Sequence, residues 1–369
     1  MEQIPSCLFC GRCLNVCPLF QLSLQEELSP RSKAFSLNLL LRGDDPITLE
    51  DISPLMGICL GCGRCYEECP QHIFVPDMVI RVKERCPSFK RWVFGRFISS
   101  MPWIFQGMGG IVRGIGAMLP VPLSVLLSYA SEPPADAFEL PDNPPSSPHS
   151  PALVFTGCGG AFLRPIWSER ALFITSFFYE PISAPPFLCC GYPLLFAGLR
   201  EKAKEYMLKN IEIWRDAGRP SIVVSCATCE LALSREYPPV FEDEKERERW
   251  RESIVSLSSL VSKLNMRLIK GDLDFVFHRP CHLSLEYFEK LFHVMRGAGA
   301  KIVKEDNCCG FGGSMRLENP TLCDMLGRGM WERIGKENTV VSGCTGCIIQ
   351  LKMMNPSGSV FHYLDLIKI

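Results

Sequence analysis

The sequence predicts an α/β C-terminal half made of two duplicated units, preceded by an N-terminal α-helical module. Three observations predict it. One dense cysteine run occurs twice before residue 70, a wider cysteine pattern occurs twice after residue 150, and short apolar runs precede the wider pattern at matching points. The chain has 369 residues, 47% of them hydrophobic, so two or three domains with ordinary cores are expected and wholesale disorder is excluded. The 39 Lys and Arg nearly balance 40 Asp and Glu, which argues against binding nucleic acid by phosphate neutralisation.

Twenty cysteines are too few for a small disulfide scaffold of this length. The first residues, Met1-Glu2-Gln3-Ile4-Pro5, have neither the basic region nor the apolar core of an export signal. A reducing, cytoplasmic compartment is therefore expected, where clustered cysteines read as metal ligands rather than bridges.

Cys7, Cys10, Cys13 and Cys17 precede Pro18, and Cys59, Cys62, Cys65 and Cys69 precede Pro70. Both runs read C-x2-C-x2-C-x3-C-P, the bacterial ferredoxin pattern for cubane [4Fe-4S] clusters. In two-cluster ferredoxins the fourth Cys of each run serves the other cluster. The expected sets are thus Cys7, Cys10, Cys13 and Cys69 for one cubane, and Cys59, Cys62, Cys65 and Cys17 for the other. A pair of zinc sites is the alternative, but zinc takes its four ligands as paired knuckles, not as triplets. Gly63 allows backbone amides to approach cluster sulfur. Between the runs, Ser29 and Pro30 predict the N-cap and first turn of a helix running to about Leu41, and Gly43-Asp44-Asp45-Pro46 ends it. Residues 1–88 form this ferredoxin-type domain with two cubane sites.

Residues 89–131 form a basic, apolar segment. No acidic residue occurs from Arg85 to Ser131, where Arg85, Lys90, Arg91, Arg96 and Arg113 supply the charge. Apolar residues recur at helical spacing: Trp92, Val93, Phe97, Ile98, Met101, then Ile104, Met108, Ile111, Ile115 and Met118. The uncharged run Gly114–Ser131 contains Pro120 and Pro122, against a spanning helix. An interfacial helix or partner-docking surface is expected, with packing on the protein's own core as the alternative. Residues 132–151 hold seven Pro and read as a linker or extended strap. The charge run from Glu242 to Glu252 reads as a solvated helix face.

The wider pattern is Cys158, then Cys189-Cys190-Gly191, then Cys226-Ala227-Thr228-Cys229. It returns as Cys281, then Cys308-Cys309-Gly310, then Cys344-Thr345-Gly346-Cys347, with 35 and 34 residues between the double Cys and the C-x2-C. Ala152–Phe155, Ile222–Val224, Phe275–Phe277 and Val340–Val341 are short and apolar, and read as buried parallel strands. Helical patterns lie between them, at Leu199–Trp214 and Thr321–Ile334. Ligands just past strand C-termini are where open α/β sheets place their sites. The two units are expected at 152–271 and 272–369. Alone, Cys226-x2-Cys229 reads as redox or zinc-binding and Cys308-Cys309 as buried thiols; the repeated order argues against both. Gly310-Phe311-Gly312-Gly313 lacks the Lys and Ser/Thr of a phosphate loop. His278 and His282 are read as structural, with ligation or proton donation as the alternative. Cys86 and Cys323 are left as ordinary thiols.

These motifs resemble the CCG, or cysteine-rich, domain family. Ser29-Pro30-Arg31, Cys189-Cys190-Gly191-Tyr192-Pro193 with Gly198, Ala203 and Asn210, and His278-Arg279-Pro280-Cys281-His282 are similar too, as is Cys308-Cys309-Gly310-Phe311-Gly312-Gly313. The family includes two of the subunits of heterodisulfide reductase, one of those of anaerobic glycerol-3-phosphate dehydrogenase, and the iron–sulfur subunits of glycolate and lactate oxidases. The resemblance implies two non-cubane [4Fe-4S] clusters. One would use Cys158, Cys189, Cys190, Cys226 and Cys229, the other Cys281, Cys308, Cys309, Cys344 and Cys347, and these ten are the candidate catalytic residues. Adjacent cysteines suit such an open cluster better than one small cube.

No flavin or nicotinamide fingerprint is present, so electrons must come from a partner or leave to one. The expected function is an iron–sulfur subunit that takes electrons from a flavoprotein dehydrogenase or similar donor. They would pass through two cubanes to the CCG clusters and on to a membrane quinone, with peripheral membrane contact through 89–131. The alternative is a thiol-disulfide reductase acting at the CCG clusters. A metal-binding scaffold without electron transfer fits the two ferredoxin runs poorly.

Overall fold

The computed structural model describes residues 7–43, 46–107, 125, 129–140, 150–269 and 273–369. The chain divides into two compact units that interleave along the sequence. Unit 1 takes 1–98, 193–202 and 308–330; unit 2 takes 99–192, 203–307 and 331–369. The segments after both double cysteines thus join the N-terminal unit.

Unit 1 has no strand among its described residues. Its helices are α1 (Pro18–Ser23), α2 (Pro30–Arg42), α3 (Leu49–Gly57), α4 (Arg64–Glu67), α5 (Val75–Arg85) and the start of α6 (Phe89–Gly107). α2 begins as its sequence predicts: the Ser29 hydroxyl accepts from Ser32 N–H at 3.0 Å, Pro30 occupies the first turn, and Gly43 terminates it. α3 opens on a Thr48–Asp51 capping box. α2, α3 and α5 pack on one another and bury Ala34, Leu37, Ile52, Met56, Val79 and Val82. Each larger side chain contributes roughly 1.5–3 kcal/mol by leaving water. α6 turns Arg91 and Phe94 inward but exposes Phe89, Trp92, Val93 and Phe97, with Lys90 and Arg96 beside them. Those apolar positions follow helical spacing, so they form one face. Met108, Ile111, Ile115, Met118 and Arg113 lie outside the described residues, as does most of Gly114–Ser131. Among the described residues no helix is long and apolar enough to cross a membrane.

Unit 2 contains three sheets. β2 (Ala152–Phe155), β3 (Ile182–Ser183), β4 (Ser221–Val224) and β5 (Ile254–Ser256) form a parallel sheet in the order β3-β2-β4-β5. β7 (Asp274–His278), β8 (Lys301–Glu305), β9 (Val340–Ser342) and β10 (Val360–His362) form another in the order β10-β9-β7-β8, also parallel. Numbered within its own segment, each sheet runs second-first-third-fourth. Leu153 pairs with Ile222 and Val276 with Val340, so the predicted apolar runs are the central strands. β2 is apolar and buried at every position, as suits a strand inside a parallel sheet. The Pro-rich strap adds β1 (Phe138–Glu139), which pairs with β6 (Arg267–Leu268) and β11 (Ile367–Lys368). It pairs because Ala137 and Phe138 are buried, a local apolar patch that the surrounding prolines mask in composition. The 242–252 charge run forms the helix Glu244–Ser253, solvated except at Trp250 and Ser253.

Candidate metal centres

In unit 1 the two ferredoxin-type runs fold alike. Gly11 and Gly63, each directly after the second Cys of its run, take φ 77° and 71° and cap one short helical turn that carries the third Cys. Cys17 is the N-cap of α1, with Pro18 in the first turn. Around the first run Cys7 and Cys10 lie near Cys13, and burial, then Cys7, pushes the Cys13 thiol up to about 11. Cys69 is half-buried and lies just beyond α4.

Cys17, Cys59, Cys62 and Cys65 line one cavity. This brings the fourth Cys of the first run to the triplet of the second. Gly61 N–H points at Cys59 Sγ, 3.5 Å away. Burial, then Cys59 and Cys17, drives the Cys65 thiol strongly up. Lys33 from α2 lines the same cavity; it is buried and donates to Leu28 O at 2.7 Å.

In unit 2 the cysteines follow the C-terminal ends of parallel strands. Cys158 follows β2, Cys189-Cys190 follow β3 and Cys226 follows β4; Cys281 follows β7 and Cys344 follows β9. β2 beside β4, and β7 beside β9, are where strand order reverses, the crevice at which open α/β sheets hold ligands. Thiols touch in sequence there: Cys158 with Cys189, Cys189 with Cys190, Cys190 with Cys229, and Cys229 with Cys226. Cys226 then meets Cys344, and Cys344 meets Cys347. Thiols of Cys189 and Cys229 hold Cys190 below the ordinary thiol range, and Cys229 and Cys344 do the same for Cys226. The turns are joined as well, with Ala227 N–H donating to Gly343 O at 3.1 Å. Thr228 Oγ1 lies 3.3 Å from Cys344 Sγ, and Thr345 Oγ1 lies 3.8 Å from Cys226 Sγ.

Cys281, Cys344 and Cys347 belong to unit 2, but Cys308 and Cys309 are buried in unit 1. The two double-cysteine turns are nevertheless alike. Gly191 and Gly310 have φ 83° and 82°, a conformation open to Gly at no steric cost. A Cβ at Gly310 would fall 2.6 Å from Leu326 Cβ and 3.0 Å from Cys323 O. Gly310 N–H approaches Cys308 Sγ at 3.4 Å, and Gly191 N–H bonds Cys189.

His278 is buried with Nδ1 3.0 Å from Ser342 Oγ and Nε2 3.0 Å from Asn307 O, so protein partners occupy both nitrogens. His282 has Nδ1 3.0 Å from Thr228 Oγ1 and meets the Tyr192 ring edge-on. Thr228, Thr345 and Lys33 were not singled out by sequence reasoning. The threonines lie inside the C-x2-C motifs, but their contacts cross between sheets.

All twenty cysteines are free of disulfides. Among the described residues no three Cys, His, Asp or Glu side chains close on a single-ion position; a cluster spreads its thiolates around several irons. The donor set suits such a core. Crowded thiols repel as they ionise, and a bound cationic metal reverses this by deprotonating them outright.

A family model described as a 4Fe-4S dicluster domain matches residues 3–73, and a cysteine-rich domain model matches 152–234 and again 275–352. The chain belongs to the CCG-domain iron–sulfur oxidoreductase family. Iron–sulfur clusters are its cofactors, and it is an oxidoreductase subunit. The glycolate oxidase iron-sulfur subunit of Escherichia coli (strain K12) is 23% identical over 390 residues, spanning 98% of this chain and 93% of that CCG relative. One fumarate reductase (CoM/CoB) subunit from Methanothermobacter marburgensis is 20% identical over 372 residues, covering 95% of this chain and 68% of its own. An anaerobic glycerol-3-phosphate dehydrogenase subunit from Escherichia coli (strain K12) is 28% identical over 180 residues, 45% of each chain.

Proposed function

We propose that this chain is the electron-transfer subunit of a redox complex, taking electrons from a flavoprotein dehydrogenase and delivering them to a membrane quinone. The observation that carries the reading is the unbroken succession of thiols from Cys158 to Cys347 at the switch points of two sheets with one strand order. That common order supports an internal duplication. Cys7, Cys10, Cys13 and Cys69 would hold one cubane, and Cys17, Cys59, Cys62 and Cys65 the other. The ten CCG cysteines would hold two non-cubane clusters, in the sets the motifs define. When bound, these groups accept and release single electrons at potentials set by charge, hydrogen bonds and burial. The chain's own part is to hold thiolates at fixed places, exclude water around Cys190 and Cys226, and offer N–H donors such as that of Gly61. The exposed aromatic and basic face of α6 supports peripheral membrane contact, since such faces settle at anionic lipid surfaces.

A second reading is reduction of a thiol disulfide. It is favoured by the completeness of both five-cysteine motifs and the contact of Cys226 with Cys344.

The deciding experiment uses anaerobically purified, dithionite-reduced protein, offered a soluble quinone or a thiol disulfide. Re-oxidation by the quinone alone supports the first reading; turnover of the disulfide with indifference to quinone supports the second. Elemental assay should find about sixteen irons per chain if all four sites are filled.

A further inference from the structure

Lysine is almost never fully buried unless paired. Lys33 is 2% exposed and lines the cavity of Cys17, Cys59, Cys62 and Cys65. Its ammonium carries three N–H donors. Among the described residues one acceptor meets it, Leu28 O, and no carboxylate lies within ion-pair distance. Burial lowers its pKa from the ordinary lysine value, and the groups that oppose this by favouring the charged form are the cysteines, Cys59, then Cys17 and Cys65.

Lys83, the other buried lysine of unit 1 α-helices, is compensated. Its Nζ lies 3.8 Å from Glu318 Oε2 and 3.4 Å from Phe196 O, and sits over the Phe196 ring. The first cysteine run has Arg31 nearby, but Glu26 binds that guanidinium through both oxygens at 2.6 and 3.1 Å, at the surface. Among the described residues of unit 1, the buried lysine with no carboxylate partner is thus the one that lines the cavity of Cys17, Cys59, Cys62 and Cys65.

We propose that Lys33 is a tuning residue for the cluster of Cys17, Cys59, Cys62 and Cys65: its buried positive charge favours the reduced, more negative state and raises that cluster's potential above the other cubane's. The inference rests on the ligand sets proposed above. It gives the N-terminal wire a direction. One electron leaves the cluster of Cys7, Cys10 and Cys13, which is oxidised, and reaches the cluster beside Lys33, which is reduced. No bond is made or broken.

The test is an EPR-monitored redox titration of the full-length, iron-replete protein. At fixed poise, Lys33→Met should lower the reduced-to-oxidised ratio of one cubane at least tenfold, about 59 mV for one electron, and leave the other cubane in place. Lys33→Arg should restore most of the ratio, and Lys83→Met should shift it less than Lys33→Met. Full iron with both potentials unmoved in Lys33→Met overturns the proposal, as does an equal shift from Lys83→Met. Should Lys33→Met lose iron, retention by Lys33→Arg supports the charge, while loss in both makes Lys33 a packing residue and overturns it. Cys65→Ser separates the two inferences. It should abolish the signal that Lys33→Met moves; if it abolishes the other signal, the ligand sets fail and the charge effect stands.

Discussion

Asn210 closes the turn ahead of Cys189-Cys190. Its Oδ1 accepts from Leu188 N–H at 2.8 Å and its Nδ2 donates to Tyr237 Oη at 2.8 Å, both inside the unit. Asn210→Ala would leave those groups unsatisfied, and a loss of roughly 1–3 kcal/mol is expected in a denaturant titration. Cys17→Ser tests the crossed ligand set: about four irons and one cubane EPR signal should disappear together while the other cubane signal persists. The cysteine runs were legible as motifs because their spacing repeats, and one cavity brings Cys17 to Cys59, Cys62 and Cys65. Lys33 was not, because a lysine on a helix reads as solvated until a tertiary cavity closes over it. Thr228 and Thr345 were hidden for a related reason: their partners come from the other sheet's motif.

Among elements, the strands were the most legible. Ala152–Phe155 appears as expected, and the other three apolar runs extend by a residue or two, since a β-branched run buried on both faces leaves little choice. The strap was less so: β1 rests on Phe138 and Ala137, too short a signal among prolines. The outward face of α6 makes a prediction of its own. Replacing Trp92 and Phe97 by Glu should release the protein from anionic liposomes in a sedimentation assay while leaving iron content intact; unchanged sedimentation would remove the membrane role from this helix. His362 caps the turn after β10 by accepting Leu364 N–H on Nδ1 at 3.2 Å, and burial lowers its pKa to about 4. Unfolded histidine titrates near 6.5, so between those values the unfolded chain binds more protons and stability falls as the solution is acidified. The contribution is fully present above about 6.5 and is lost at about 1.4 kcal/mol per unit toward 4. His362→Gln should flatten that slope in anaerobic urea titrations compared at pH 7 and 5.5.

At the scale of the whole molecule, unit 2 is tied by a buried ion pair. Arg164 Nη2 lies 2.6 Å from Asp365 Oδ1, the same guanidinium donates to the carbonyls of Tyr129 and Glu132, and Tyr129 Oη donates to the carboxylate. Asp365→Ala strands a buried guanidinium, and a loss of roughly 3–5 kcal/mol is expected, read by thermal or urea unfolding. The interleaving of units was not legible at all. Periodicity reports local burial, and nothing in residues 193–202 or 308–330 says that they join the N-terminal helices.

The hydrogen bond from Ala227 to Gly343, with Cys226 against Cys344, has a consequence for how the molecule ages in air. If either proposed cluster were stripped by oxygen, a bared sulfur such as that of Cys226 would be left touching Cys344, a proposed ligand of the neighbouring set, and the scaffold of one would be the wall of the other. Damage should then spread rather than stay put. Bleaching followed against time would show the C-terminal irons leaving as a single wave, with no long-lived half-stripped species between.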